Sequence, residues 1–155
     1  MPSISVLIAA RGQASRAACL GLLRPEKGIR VVGEVRRGLD AITTAARLKP
    51  QILLLDQGMA AERGRAVLPL IRRKSPETRV ILLTERASAA QTLEALSQGA
   101  RGYLERRALR AFLPKAVRAV EAGEGWVPRK MVAKVMDRLA RLTVRAGEPQ
   151  GGPAS

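Results

Sequence analysis

Asp56 closes an unbroken apolar run, Ile52-Leu53-Leu54-Leu55, and the residues around it decide what it can do. A carboxylate at the C-terminal end of a buried strand is suited to phosphoryl chemistry, which needs a divalent cation to neutralise charge on the entering group. The first strand, read at 4–9, should end beside Asp56 and supply a metal-binding acidic pair, but it runs into Ala10-Arg11. Mg²⁺ binds through one or two carboxylates and completes its shell with water. Asp56 alone is a poor site and Arg11 would repel the ion, so neither Mg²⁺ nor any other cofactor is expected. The Arg11 guanidinium can instead bind the Asp56 carboxylate bidentately, with Arg106 as second partner. The alternative is that Arg11 points to solvent and the pocket has decayed.

Composition narrows the chemistry further. The chain has 155 residues, no His and one Cys, Cys19. His-based acid–base catalysis, phosphohistidine relay and the usual zinc sites are therefore excluded. A lone Cys excludes an internal disulfide, and with no secretory signal after Met1 the expectation is a reduced, cytoplasmic protein. The apolar runs are too short for a membrane span. The formal charge of +15 points to an acidic partner or to a solvated, Arg-rich surface. Aromatic content of 2% argues against a base-stacking platform. Gly12 does not begin a phosphate-binding loop.

These residues sit on a regular alternation of elements. Strands are expected at 4–9, 29–35, 51–55, 79–83 and 101–104, and helices at 13–24, 38–48, 62–74, 87–98 and 109–122. Pro114 requires the last of these to begin near Leu113 or to kink. Right-handed crossovers then give an α/β, flavodoxin-like five-stranded parallel sheet with helices on both faces. Residues 1–122 form that domain and 123–128 a linker that Trp126 anchors. An additional amphipathic, basic helix spans 129–145, and 146–155 reads as a disordered tail. Val132, Val135, Leu139 and Leu142 make a narrow apolar stripe on the added helix, which should either pack back on its own domain or pair with a second copy. Lys130, Lys134, Arg138, Arg141 and Arg145 make a basic stripe that could contact nucleic acid.

Several segments together resemble a response-regulator receiver domain of the CheY-like type, as attached to LuxR/FixJ-type DNA-binding domains. They are Val6-Leu7-Ile8-Ala9, Val31-Val32-Gly33-Glu34, Leu53-Leu54-Leu55-Asp56, Gly99-Ala100-Arg101-Gly102-Tyr103-Leu104, and Ala116-Val117-Arg118-Ala119-Val120 followed by Gly123-Glu124-Gly125-Trp126. The resemblance implies that Asp56 matches the phosphoacceptor, Thr84 the phosphate-binding hydroxyl and Tyr103 the aromatic switch residue. Ala10 and Arg11 replace the acidic pair, Arg106 the expected Lys, and Glu85 the usual small residue. Thr84 read alone could simply cap the next helix, and Tyr103 could be a packed, half-exposed ring.

The resulting expectation is a degenerate receiver, without enzymatic activity, that acts as a phosphorylation-independent interaction or dimerisation module. A protein partner or a second copy is expected, with the homodimer preferred. In the resembling proteins the last helix leads into a helix-turn-helix; here Leu142-Thr143-Val144-Arg145 looks like its opening before the sequence turns to Gly and Pro. Without that output domain, nucleic-acid binding should be weak and non-specific. Two rival readings remain: a nucleic-acid-associated regulator using the basic helix, and a working phosphoacceptor at Asp56.

Overall fold

The computed structural model describes residues 3–62 and 65–147. β1 (Ile4–Ala9), β2 (Ile29–Val35), β3 (Ile52–Asp56), β6 (Arg79–Thr84) and β7 (Gly102–Glu105) form one parallel sheet in the order β2-β1-β3-β6-β7. β3 is central, paired on both sides, and every one of its residues is buried. That explains its apolar run: a strand covered on both faces has no solvent-facing position to fill with a polar residue.

Alternate side chains feed two cores. Leu53 and Leu55 join Leu7, Val80, Leu82 and Tyr103 on the face covered by α2 (Gly38–Leu48), α3 (Val67–Lys74) and α4 (Ala89–Ser97). Ile52 and Leu54 join Val6, Ile8, Ile81 and Leu83 on the face covered by α1 (Gln13–Leu23) and α5 (Leu109–Glu121). Asp56 continues the parity of Ile52 and Leu54, so its side chain turns towards the α1 side.

One helix departs from the sequence reading and another keeps to it. The helix expected at 62–74 begins only at Val67, and the residues before it form a short antiparallel pair, β4 (Ala61–Glu62) with β5 (Arg65–Ala66). Pro69 is the physical reason: its ring is tolerated in a first turn but not deeper, so the helix cannot start much before Val67. α5, read at 109–122, forms within a residue of that range and does not begin near Leu113, the first of the two outcomes that Pro114 offered. It runs from Leu109 through Pro114 to Glu121. Burial of Leu109, Leu113, Ala116, Val117 and Val120 along one face outweighs the backbone hydrogen bond that Pro114 cannot donate.

The chain then returns to the sheet. Trp126 accepts from the Tyr103 amide at 2.7 Å and donates its own amide to the Arg101 carbonyl at 3.1 Å, a parallel bridge on the outer edge of β7. A one-turn 3-10 helix (Arg129–Met131) leads into α6 (Val132–Gly147), which packs against α4. Helix therefore includes residues 146 and 147, which the sequence reading placed in a disordered tail; the remainder of that tail, 148–155, lies outside the described residues.

Candidate functional site

The loops after β1, β3, β6 and β7 converge at the C-terminal edge of the sheet, and one side chain ties them together. Arg106, in the 3-10 turn after β7, donates from Nη2 to Asp56 Oδ2 at 2.5 Å. Its Nη1 donates to the Ser15 hydroxyl in the first turn of α1. Its Nε lies 3.0 Å from Glu85 Oε1. That last contact is an ion pair rather than a hydrogen bond, because the buried N–H has no aligned acceptor. Asp56 Oδ1 accepts from the Gly58 amide at 3.2 Å, capping the turn Gln57–Met59. Each Asp56 oxygen thus already has a donor.

The two carboxylates are unlike in setting. The Asp56 side chain is 13% exposed and Glu85 81% exposed, with Arg106 between them at 30%. Arg106 is therefore the cation on Asp56, while Arg11 is exposed in the loop after β1, where its carbonyl accepts from Arg16 at 2.9 Å. Ala10 is fully buried, its side chain offers no ligand atom, and its carbonyl accepts from Arg16 at 2.7 Å. Receiver-type sites are expected to hold Mg²⁺, and the donor set here does not fit one. Asp56 is the one carboxylate that the ends of β1 and β3 present among the described residues, it is engaged by a guanidinium, and no group of three metal-ligating side chains exists among those residues. Cys19, one turn beyond Ser15, is buried beneath the pocket. Burial pushes its thiol up to about 11, with the Arg106 charge lowering and the Asp56 charge raising it, so it is a protonated core side chain.

Thr84 and Tyr103 lie on the other side of β3 and β6. Tyr103 is fully buried, not half-exposed, and its hydroxyl donates to Gln57 Oε1 at 2.8 Å. Burial raises its pKa above the ordinary value, with hydrogen bonds to Thr84 and Gln57 opposing and the Glu105 charge adding to the shift. Thr84 does not cap the following helix; its hydroxyl donates to the Arg86 carbonyl at 3.4 Å, while Ser88 caps α4 by accepting from the Gln91 amide at 3.1 Å. Polar groups are thus concentrated where the strands end, with Tyr103 and Thr84 facing one helix layer and Asp56 the other.

Three residues that sequence reasoning missed complete the arrangement. Ser15 fixes one arm of Arg106, Gln57 holds Tyr103, and Glu105 connects the sheet to the added helix. Glu105 is buried, accepts from the Ala87 amide at 3.0 Å, and pairs with Lys130 at 3.2 Å and Arg107 at 3.4 Å. Burial alone would raise its pKa, but the Ala87 amide, the Lys130 hydrogen bond and the neighbouring positive charges lower it overall. One sequence signal was available: an acid at the last position of an otherwise apolar strand needs a partner.

The residues assigned to the added helix are divided by the structure. Of the stripe expected to pack back on its own domain or to pair with a second copy, Val135 takes the first course and is buried in the core with Met131. Val132, Leu139 and Leu142 remain 42%, 53% and 51% exposed, joined by Met136 at 62%. The reason is angular: Val135 points at α4 while Val132, Met136 and Leu139 lie further round the helix. Lys130, expected to face nucleic acid, is committed to Glu105. Lys134, Arg138 and Arg141 are exposed. The side chain of Arg145 lies outside the described residues.

Comparison with known proteins places the fold and these loops in one family. Residues 6–118 match the response regulator receiver domain, and the chain belongs to that family. It is 29% identical to the transcriptional regulatory protein LnrK of Bacillus subtilis over 89% of this chain and 63% of that protein. It is 28% identical to the response regulator protein VraR of Staphylococcus epidermidis over 90% of this chain and 66% of that protein. The chain therefore spans less than two thirds of each of these relatives. Among solved structures it resembles the signal receiver domain of the response regulator NarL from Mycobacterium tuberculosis, at a TM-score of 0.74 and 27% identity, covering 80% of this chain and 100% of that one. It also shares the fold of a LuxR-family two-component response regulator from Aurantimonas sp., at a TM-score of 0.78 and 20% identity, covering 89% and 99%.

Proposed function

We propose that this chain is a pseudo-receiver: a two-component-type receiver domain that serves transcriptional signalling as a protein-interaction module, without being switched by phosphorylation of Asp56. The observation that carries this reading is Arg106 seated on Asp56 and braced by Ser15 and Glu85. Attack by a carboxylate on a phosphorus centre needs a free oxygen and a cation able to neutralise the entering oxygens. In this pocket a fixed guanidinium engages that oxygen, and Glu85 places negative charge on the approach. The same contacts tie the loops after β3, β6 and β7 to α1 continuously, so the face beyond β7 is offered to partners in one form.

The test is exposure of the full chain to acetyl phosphate with millimolar Mg²⁺, followed by intact-mass spectrometry. No phosphate adduct is expected. An adduct that disappears in Asp56→Asn would show that the pocket works as a phosphoacceptor and would overturn the reading.

A further inference from the structure

Beside β7 the return of the chain leaves a groove of about 530 Å³ between α5 and the start of α6. Its floor and walls are apolar: Leu104, Ala108, Phe112, Trp126 and Val132. The Phe112 and Trp126 rings meet with centroids 5.8 Å apart, and Phe112 is 42% exposed. From Val132 the apolar surface continues along α6 through Met136 and Leu139, at a four-then-three spacing that keeps all three on one side of the helix. A valley walled by two helices and floored by an extended segment is the shape that receives a third helix through its apolar face.

The charges on the rim say which helix. Arg129 and Lys130 line the groove, and the Lys115 ammonium stands 6.0 Å from the Phe112 ring centroid. The one carboxylate in the lining, Glu105, is already neutralised by Lys130 and Arg107. A two-fold contact between copies would set this cationic rim against its own equivalents, in a chain that carries +15 overall. We infer that the groove docks an acidic amphipathic helix of a different protein, its apolar side on Phe112, Trp126 and Val132 and its carboxylates against Arg129 and Lys115. The inference rests on the reading of the domain as an interaction module and supplies the partner's chemistry.

Trp126 is the only Trp of the chain, so its fluorescence reports on the groove directly. The experiment titrates the full chain with a synthetic Glu/Leu amphipathic helix and, separately, with a Lys/Leu helix of the same pattern. The Glu/Leu helix should give a saturable blue shift of the emission that weakens by about tenfold or more on raising salt from low to high ionic strength. Phe112→Ser and Arg129→Glu, both at exposed positions, should each weaken binding about tenfold, and Leu48→Ser on the far face should leave it unchanged. Equal binding of the Lys/Leu helix, or no shift with either, would overturn the inference. So would a blue shift that grows with protein concentration alone alongside dimerisation in sedimentation, since the occupant would then be a second copy. Asp56→Asn should bind the Glu/Leu helix like the parent chain. If acetyl phosphate altered that affinity in the parent and not in Asp56→Asn, the phosphorylation-independent reading would fail while the groove stood.

Discussion

Arg106 reaches Asp56 with one arm and Ser15 with the other, and its Nε faces Glu85. Removing it would leave a largely buried carboxylate without its cation and with a second carboxylate nearby. Arg106→Ala is therefore expected to destabilise the fold by about 1–3 kcal/mol, read from chemical denaturation. Asp56→Asn should cost less, and the double variant should cost less than the sum of the two by at least about 0.5 kcal/mol. Strict additivity would mean that the contact contributes nothing. Arg106→Lys should recover only part of the loss, because an ammonium lacks the planar fork that spans Asp56 and Ser15 together. A guanidinium on Asp56 could be anticipated from the sequence, since Arg11 and Arg106 were the cations flanking it. Which of the two makes the contact was not legible, because it depends on the direction in which each loop leaves its strand.

Glu105 acts at the scale of elements, joining the end of β7 to the turn before α6 through Lys130. Its pKa lies below the ordinary 4.5 in the folded chain. The stability it contributes is complete above the unfolded-state value and is lost as pH falls through that value towards the folded one. Denaturation measured from neutral pH down into the acid range should show this loss, and Glu105→Gln should remove that part of the slope. An unchanged slope would count against the linkage. α5 offers a test of opposite sign. Pro114 lies inside the helix and is half-buried, so Pro114→Ala should raise stability by about 1–3 kcal/mol, the difference in helix cost between the two residues. Destabilisation would mean that the ring is needed for packing. The strand pattern was legible from short aliphatic runs, and β1 and β2 begin and end where those runs do. The start of α3 was not, because helical spacing alone carries no account of how deep in a helix Pro69 can sit. The Glu105–Lys130 pair was equally hidden, since nothing local marks two residues on separate elements as neighbours.

The whole molecule presents a basic surface of +15. Exposed Lys134, Arg138 and Arg141 on α6 are its most regular array, whereas Lys130 is held by Glu105. Binding to duplex DNA is expected to be weak at physiological salt, indifferent to sequence and steeply reduced by added salt, as measured by fluorescence anisotropy. Charge reversal at Lys134, Arg138 and Arg141 together should reduce the salt slope, and reversal at Lys130 should chiefly lower stability. A footprint on a defined sequence at nanomolar protein would favour a nucleic-acid regulator over an interaction module.

The return of Trp126 to the edge of β7 has a consequence for proteases. Segments joining a domain to a following helix are usually where a chain is nicked, because a protease must draw several residues into an extended form in its own cleft. Here the amide and carbonyl of Trp126 are already bonded to Arg101 and Tyr103, and the segment leads directly into the buried Met131. Chymotrypsin should therefore leave the Trp126–Val127 bond intact in the native chain while trypsin cuts α6 at the exposed Arg138 and Arg141. Phe112→Ser, which removes the ring packed on Trp126, should make that bond measurably easier to cut.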